Sequence, residues 1–206
     1  MITKKIIPLI ISLAIISISD IQAQKDSVLQ KVPHQISVEF GYRYSFYPNT
    51  GLTTDATLTG LPNHASNGVG ILADYGWQLT GLDGKKPAIY LTVPLGYTML
   101  FPDDPQSKRI GMLNYGWTVR HELATKDKKL IPFIGYGLFL SNLSEDGVVG
   151  SVTGHQTQFE GGVNFKMTGS IFYFAKLQAS YSSYPKLGYS KSLHFMYADL
   201  RIGIRF

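Results

Sequence analysis

Between residues 35 and 47 apolar and polar side chains alternate without a break. Ile36, Val38, Phe40, Tyr42, Tyr44 and Phe46 fall on one side; Ser37, Glu39, Gly41, Arg43 and Ser45 fall on the other. A repeat of two is the signature of a β-strand whose faces meet different surroundings. Seven further stretches carry the same repeat, at 67–79, 88–100, 110–123, 130–140, 155–167, 171–182 and 193–206. In the fifth, Pro132, Ile134, Tyr136, Leu138 and Leu140 form the expected outer face, while Ile131, Phe133 and Phe139 leave its phase open. Pro94 interrupts the third, where the lost N–H predicts a bulge or an irregular pairing.

The stretches are joined by turn-rich segments, long at 48–66 and 141–154 and short at 80–87, 124–129 and 168–170. An even number of strands with alternating long and short connections is the layout of a single-chain membrane barrel. Each stretch exceeds the roughly 9 to 11 residues that a tilted spanning strand needs. The expectation is an all-β fold, an eight-stranded antiparallel up-and-down transmembrane β-barrel with both ends of the chain on the periplasmic side.

Charge decides which face is which. Glu39, Arg43, Asp74, Arg120, Glu122, Glu160, Lys166, Lys176, Asp199, Arg201 and Arg205 all lie opposite the larger apolar set. The stretches with two or more of them test the phase, and none puts charges on both faces. A Lys or Arg facing lipid at mid-membrane costs roughly 2 to 4 kcal/mol, so charges belong inside. A soluble barrel would reverse the faces and fill its centre with Val, Leu and Phe. Eight strands enclose a space that side chains just fill, so these eleven residues are expected to pair into a network there.

Composition agrees with many short strands: charged residues are 16%, aromatics 13%, and there are 21 Gly and 13 Tyr. The absence of cysteine excludes disulfides, thiol catalysis and an acylated N-terminal cysteine. Lys4 and Lys5 precede an apolar run too short to span a bilayer, followed by Ser, Asp and Ala, which reads as a signal peptide over 1–23. A short periplasmic lead, 24–34, and the barrel, 35–206, complete the layout. Losing Lys4, Lys5 and Asp20 would lower the formal charge from +5 to +4. The basic residues form no stripe, so no nucleic-acid partner is expected. His121 and Glu122 lack the second histidine of a zinc-protease motif, and the five histidines are scattered. No metal or other cofactor is expected.

The stretch LHFMYADLRIGIRF, 193–206, resembles the closing strand of bacterial outer-membrane β-barrels, with Leu200, Ile202, Ile204 and Phe206 at alternating positions. The resemblance implies residence in the outer membrane, recognition of these four residues by the barrel-assembly machinery, contact with outer-membrane lipid and lipopolysaccharide, and a monomer. Small eight-stranded barrels of this class include structural barrels, adhesins, pores and lipid-modifying enzymes, so the fold alone selects none of these. The leading expectation is a non-enzymatic surface-contact barrel with a plugged lumen; a narrow passive pore is an alternative.

The second half of the chain also resembles, distantly, the outer-membrane lipid A 3-O-deacylases, through IPFIGYGLFL, FEGGVNF and ASYSSYP. Their His-Tyr-Ser stretch corresponds here to Ser180, Tyr181 and Ser182. Ser182 takes the nucleophile's place, Ser180 stands where the base belongs, and no acid matches. A serine without a base is a weak nucleophile at neutral pH, so the activity is not carried over. His155 and His194 are the two histidines that an adjoining strand could supply as a base, which keeps a lipid A-modifying hydrolase open as an alternative.

Overall fold

The computed structural model describes residues 34–47, 67–80, 88–101, 109–123, 129–145, 151–166, 171–184 and 193–206. The signal-peptide expectation at 1–23 falls outside the described residues, as does the lead apart from His34. The strands are β1 (His34–Tyr47), β2 (Asn67–Thr80), β3 (Ile89–Phe101), β4 (Ile110–Glu122), β5 (Leu130–Glu145), β6 (Val152–Lys166), β7 (Phe172–Tyr184) and β8 (Leu193–Arg205). Each pairs antiparallel with the next, and β8 returns to β1, closing the sheet into an up-and-down barrel.

Closure leaves no edge. Val38 stands between Ala73 of β2 and Ile204 of β8. At the foot of the seam Ile36 and Phe206 exchange backbone hydrogen bonds of 2.9 and 3.2 Å. Spanning a bilayer requires every backbone polar group in the hydrocarbon to be paired within the protein, and a closed ladder meets that requirement.

The alternation sorts side chains as charge predicts. Phe40, Leu177 and Ile202 are 62, 66 and 62% exposed on the outside, whereas Glu39, Arg43 and Arg120 are at most 1% exposed on the inside. Leu200 and Phe206 also face outward. An exposed belt of this breadth is the reverse of a soluble fold, and an acyl-chain environment accounts for it. Among the described residues no helix is long and apolar enough to cross a membrane; the strands do the crossing.

One local expectation is revised and another is resolved. β5 runs past Leu140 to Glu145 and β6 starts at Val152, so the connection between them is 146–151 rather than 141–154. The polar residues there continue the ladder: Ser141 and Leu143 point inward and are buried, and Thr153 donates to Asn142 across the pair at 2.5 Å. The contrast between long and short connections is correspondingly weaker. At Pro94 the expected irregularity takes the form of a lapsed pairing and not of a bulge. β3 keeps one register with β4 on both sides, Thr92 opposite Thr118 and Leu95 opposite Tyr115, and only the pairing at Val93 and Pro94 lapses. Register shifts occur instead at Ser45/Tyr47 and Gln78/Thr80.

Folded from denaturant into detergent, the protein should give a β-type circular dichroism spectrum and migrate more slowly on a gel after boiling than before. A helical spectrum, or identical mobility in both lanes, would contradict a closed barrel.

Candidate functional site

Among the described residues the buried polar and charged side chains gather in the lumen, and the lumen is layered. At the end away from His34 and Phe206, the inner positions of β3, β4, β5, β7 and β8 converge. There Leu100, Ile110, Met112, Leu143, Tyr184, Phe195 and Tyr197 form a buried apolar cluster. Phe195 stacks on Tyr197 at 5.7 Å and meets Tyr184 edge-on at 5.8 Å. The Tyr184 hydroxyl is held by Ser141 Oγ at 2.7 Å. Sequence reasoning missed this cluster because its members sit at inner positions, where charges drew attention. Inner apolar residues massed near the strand ends were the available signal.

Arg43 forms the floor of that cluster. Its guanidinium lies 4.5 Å from the centre of the Tyr197 ring and grips Asp199 with two hydrogen bonds, Nε to Oδ1 at 2.7 Å and Nη2 to Oδ2 at 2.8 Å. This is the two-pronged geometry that makes an arginine–carboxylate pair strong and directional. Gln178 donates a further bond to Asp199 Oδ2 at 3.0 Å.

A ring of alternating charge is built by four strands. Lys176 on β7 bonds Glu160 of β6 at 2.7 Å and Glu39 of β1 at 2.9 Å. Arg120 on β4 bonds Glu160 at 2.8 Å and approaches Glu39 to 4.0 Å. Toward the chain ends Arg205, Glu122 and Asn164 make a triangle: Arg205 donates to Glu122 at 2.9 Å and to Asn164 at 3.0 Å, and Asn164 donates to Glu122 at 2.9 Å.

Two of the eleven sequence-predicted lumen residues hold weaker positions. Asp74 accepts from the Ser37 hydroxyl at 2.6 Å and makes no ion pair among the described residues. Arg201 reaches Asp199 only at 3.7 Å, its side chain lying flat across Gly41, where a Cβ would stand 2.6 Å from Arg201 Cγ. Lys166 needs correction. It is on an inner-phase position but at the rim, exposed, with the Phe172 ring 5.9 Å from its amine, and it joins no ion pair among the described residues. Alternation gives a residue's face and says nothing of its height. Without Lys166 the interior holds five cations and five carboxylates.

The aromatic residues that blurred the phase of β5 also belong inside. Phe133 and Phe139 are buried and lie close over glycines: a Cβ at Gly162 of β6 would meet Phe133 Cζ at 2.7 Å, and one at Gly137, two residues earlier on β5, would meet Phe139 Cε2 at 2.7 Å. Arg120 covers Phe133 at 4.7 Å.

The stretch resembling the deacylase motif is divided between the two faces of β7. Ser180 and Ser182 point inward and are buried; Ser182 Oγ donates to Gln156 at 3.1 Å, and no histidine among the described residues faces it. His155 and His194 lie on the outer face, each directly opposite Ser183, which stands between them on β7. Tyr181, also outward, stacks on His194 and hydrogen-bonds its Nδ1 at 2.7 Å.

No protein-family model matches the chain, and no curated protein matches it. Among solved structures it is similar to Neisserial surface protein A, with 14% identity and a TM-score of 0.60 over 84% of this chain and 95% of that one. Weaker likenesses are to the N-terminal barrel of OprF of Pseudomonas aeruginosa, with 16% identity and a TM-score of 0.43 over 84 and 97% of the two chains, and to the outer-membrane enzyme PagL, with 14% and 0.45 over 82 and 97%. The fold is that of the small eight-stranded barrels of bacterial outer membranes. The apolar belt around a charged interior seats the chain in such a membrane.

Removing one member of the Arg43–Asp199 pair strands a buried ion. Arg43→Met or Asp199→Asn alone should destabilise the barrel by about 3 to 5 kcal/mol, and the double replacement Arg43→Met with Asp199→Leu by less than either. Urea unfolding midpoints in detergent micelles measure both; additive losses would show the pair is not coupled.

Proposed function

We propose that the protein is a sealed, non-enzymatic barrel that serves as a rigid outer-membrane anchor, with its work done by the surface that its interstrand connections present to the outside. The observation carrying this reading is the filled lumen, with an apolar cluster across one end and paired charges below it. An aqueous pore lined by charge needs room for hydrated ions, and an eight-stranded wall enclosing bulky side chains leaves none. The termini then face the periplasm, and the connections 48–66, 102–109, 146–151 and 185–192 face outward, beside lipopolysaccharide. Leu200, Ile202, Ile204 and Phe206 act as the handle by which the assembly machinery takes up β8, and the barrel works as a monomer.

Purified protein in planar bilayers should show no conductance steps. Regular steps would end the sealed reading and favour the passive pore.

A second reading, a hydrolase of membrane-lipid esters, is favoured by one observation: outward-facing Ser183 is flanked in register by His155 and His194. Directly opposed residues on paired strands bring their Cβ atoms within about 5.5 Å, close enough for a serine and a base to meet once substrate is bound. Mass spectrometry of lipid A from cells with and without the protein separates the readings. An unchanged acyl pattern removes the enzyme; a changed pattern that reverts with Ser183→Ala establishes it.

A further inference from the structure

The two ends of the barrel differ in charge. Across the three short connections, from the last residue of one strand to the first of the next, Lys85, Lys86, Lys126, Lys128, Lys129 and Lys166 stand against only Asp83 and Asp127. The connections at the other end, 48–66, 102–109, 146–151 and 185–192, carry four cations and four carboxylates. The positive excess therefore belongs to the end where Phe206 closes the seam.

Two of these lysines are brought face to face by register. Lys166 ends β6 and donates its backbone N–H to the Lys129 carbonyl at 2.9 Å, extending by one residue the pairing of Phe165 with Leu130. Both lysines are exposed. Like charges directly opposite on paired strands repel. Glu122, the lumen carboxylate at this end, is already taken up by Arg205 and Asn164. Height adds a second fact: Leu130 and Phe165 are exposed on the outer face, with Tyr173 of β7 beside Phe165. The lysine pair thus lies one residue, about 3.3 Å of strand, beyond the apolar belt, at the level of lipid headgroups. Its phase is inner, but at the last residue of the wall a lysine's four-carbon stem clears the backbone on either side.

We propose that this rim is a binding site for anionic phospholipid, with Lys129 and Lys166 holding the headgroup phosphate and the acyl chains lying along Leu130, Phe165 and Tyr173. An anion between the two ammonium groups turns their repulsion into a shared attraction. A carboxylate-bearing periplasmic polymer would meet the charge but leave the adjoining apolar flank unused. The inference rests on the orientation given above, in which this end faces the periplasm and so the phospholipid leaflet.

The full chain, folded in detergent, is titrated with short-chain phosphatidylglycerol and phosphatidylcholine, and bound lipid is counted by native mass spectrometry. Phosphatidylglycerol should be preferred, and Lys129→Gln with Lys166→Gln should lower that preference about fivefold for each lysine removed. Lys186→Gln with Lys191→Gln, at the other end, should leave it unchanged; gel mobility before and after boiling verifies that both variants are folded. Equal binding of the two lipids overturns the proposal, as does a preference that survives loss of Lys129 and Lys166 or falls equally with either pair. Co-sedimentation with peptidoglycan that depends on these two lysines, in place of a lipid preference, overturns it in favour of the polymer. Orientation is read separately: the chain has no cysteine, so Lys166→Cys supplies a single thiol for a membrane-impermeant maleimide. Labelling on intact cells with the lipid preference intact overturns the orientation alone, and a protected thiol without the preference overturns the lipid site alone.

Discussion

Everything inside this barrel follows from confinement. Eight strands enclose so little space that an ion there cannot carry its own hydration shell, and each must find its compensation in another side chain. That constraint explains why five cations are matched in number by five carboxylates, and why Glu160 and Lys176 each serve two charged partners. It explains the mixed origin of each group: the ring of Arg120, Glu160, Lys176 and Glu39 draws on four strands that do not all touch one another. Ion pairs of this kind contribute little net stability, because desolvation offsets attraction. Their effect is selective. A β-strand slipped by one residue would carry its arginines into lipid and leave carboxylates unmatched, so the network penalises wrong registers far more than it rewards the right one.

Close packing of so many long side chains requires the wall to yield somewhere, and glycine supplies the space. Arg201 crosses Gly41, Phe133 fills the place a Cβ at Gly162 would take, and Phe139 does the same at Gly137. In the first two cases a bulky inner residue on one strand lies over a glycine on its neighbour, and in the third the glycine precedes the ring by two residues on β5 itself. The abundance of glycine is therefore a packing feature of the lumen as well as a property of the turns.

Much of this was legible from the chain alone, because alternation and charge are independent signals that agreed. Glu39 and Arg43 fix the phase of β1, and Asp199, Arg201 and Arg205 fix that of β8, since one lipid-facing arginine would outweigh several misplaced methyl groups. What escaped was the third coordinate. Lys166 has the inner phase but stands at the rim, where water solvates it without a partner, and Ser141 to Glu145 read as loop because polarity beyond the membrane resembles polarity in a turn. Likewise Ser182 and Ser183 are neighbours in sequence, yet only pairing across β6 and β8 reveals that the histidines stand beside the second. Which residues face one another across strands depends on register, and register is a property of the closed sheet rather than of any one segment.

The seam between β1 and β8 has a kinetic corollary. The first strand to be made is the one that must wait longest, because its second neighbour, β8, is made after all the others. Until that neighbour arrives the sheet has two raw borders, each a template for adhesion to another copy. Closure is thus a late, single event, and it ends the exposure of both borders at once.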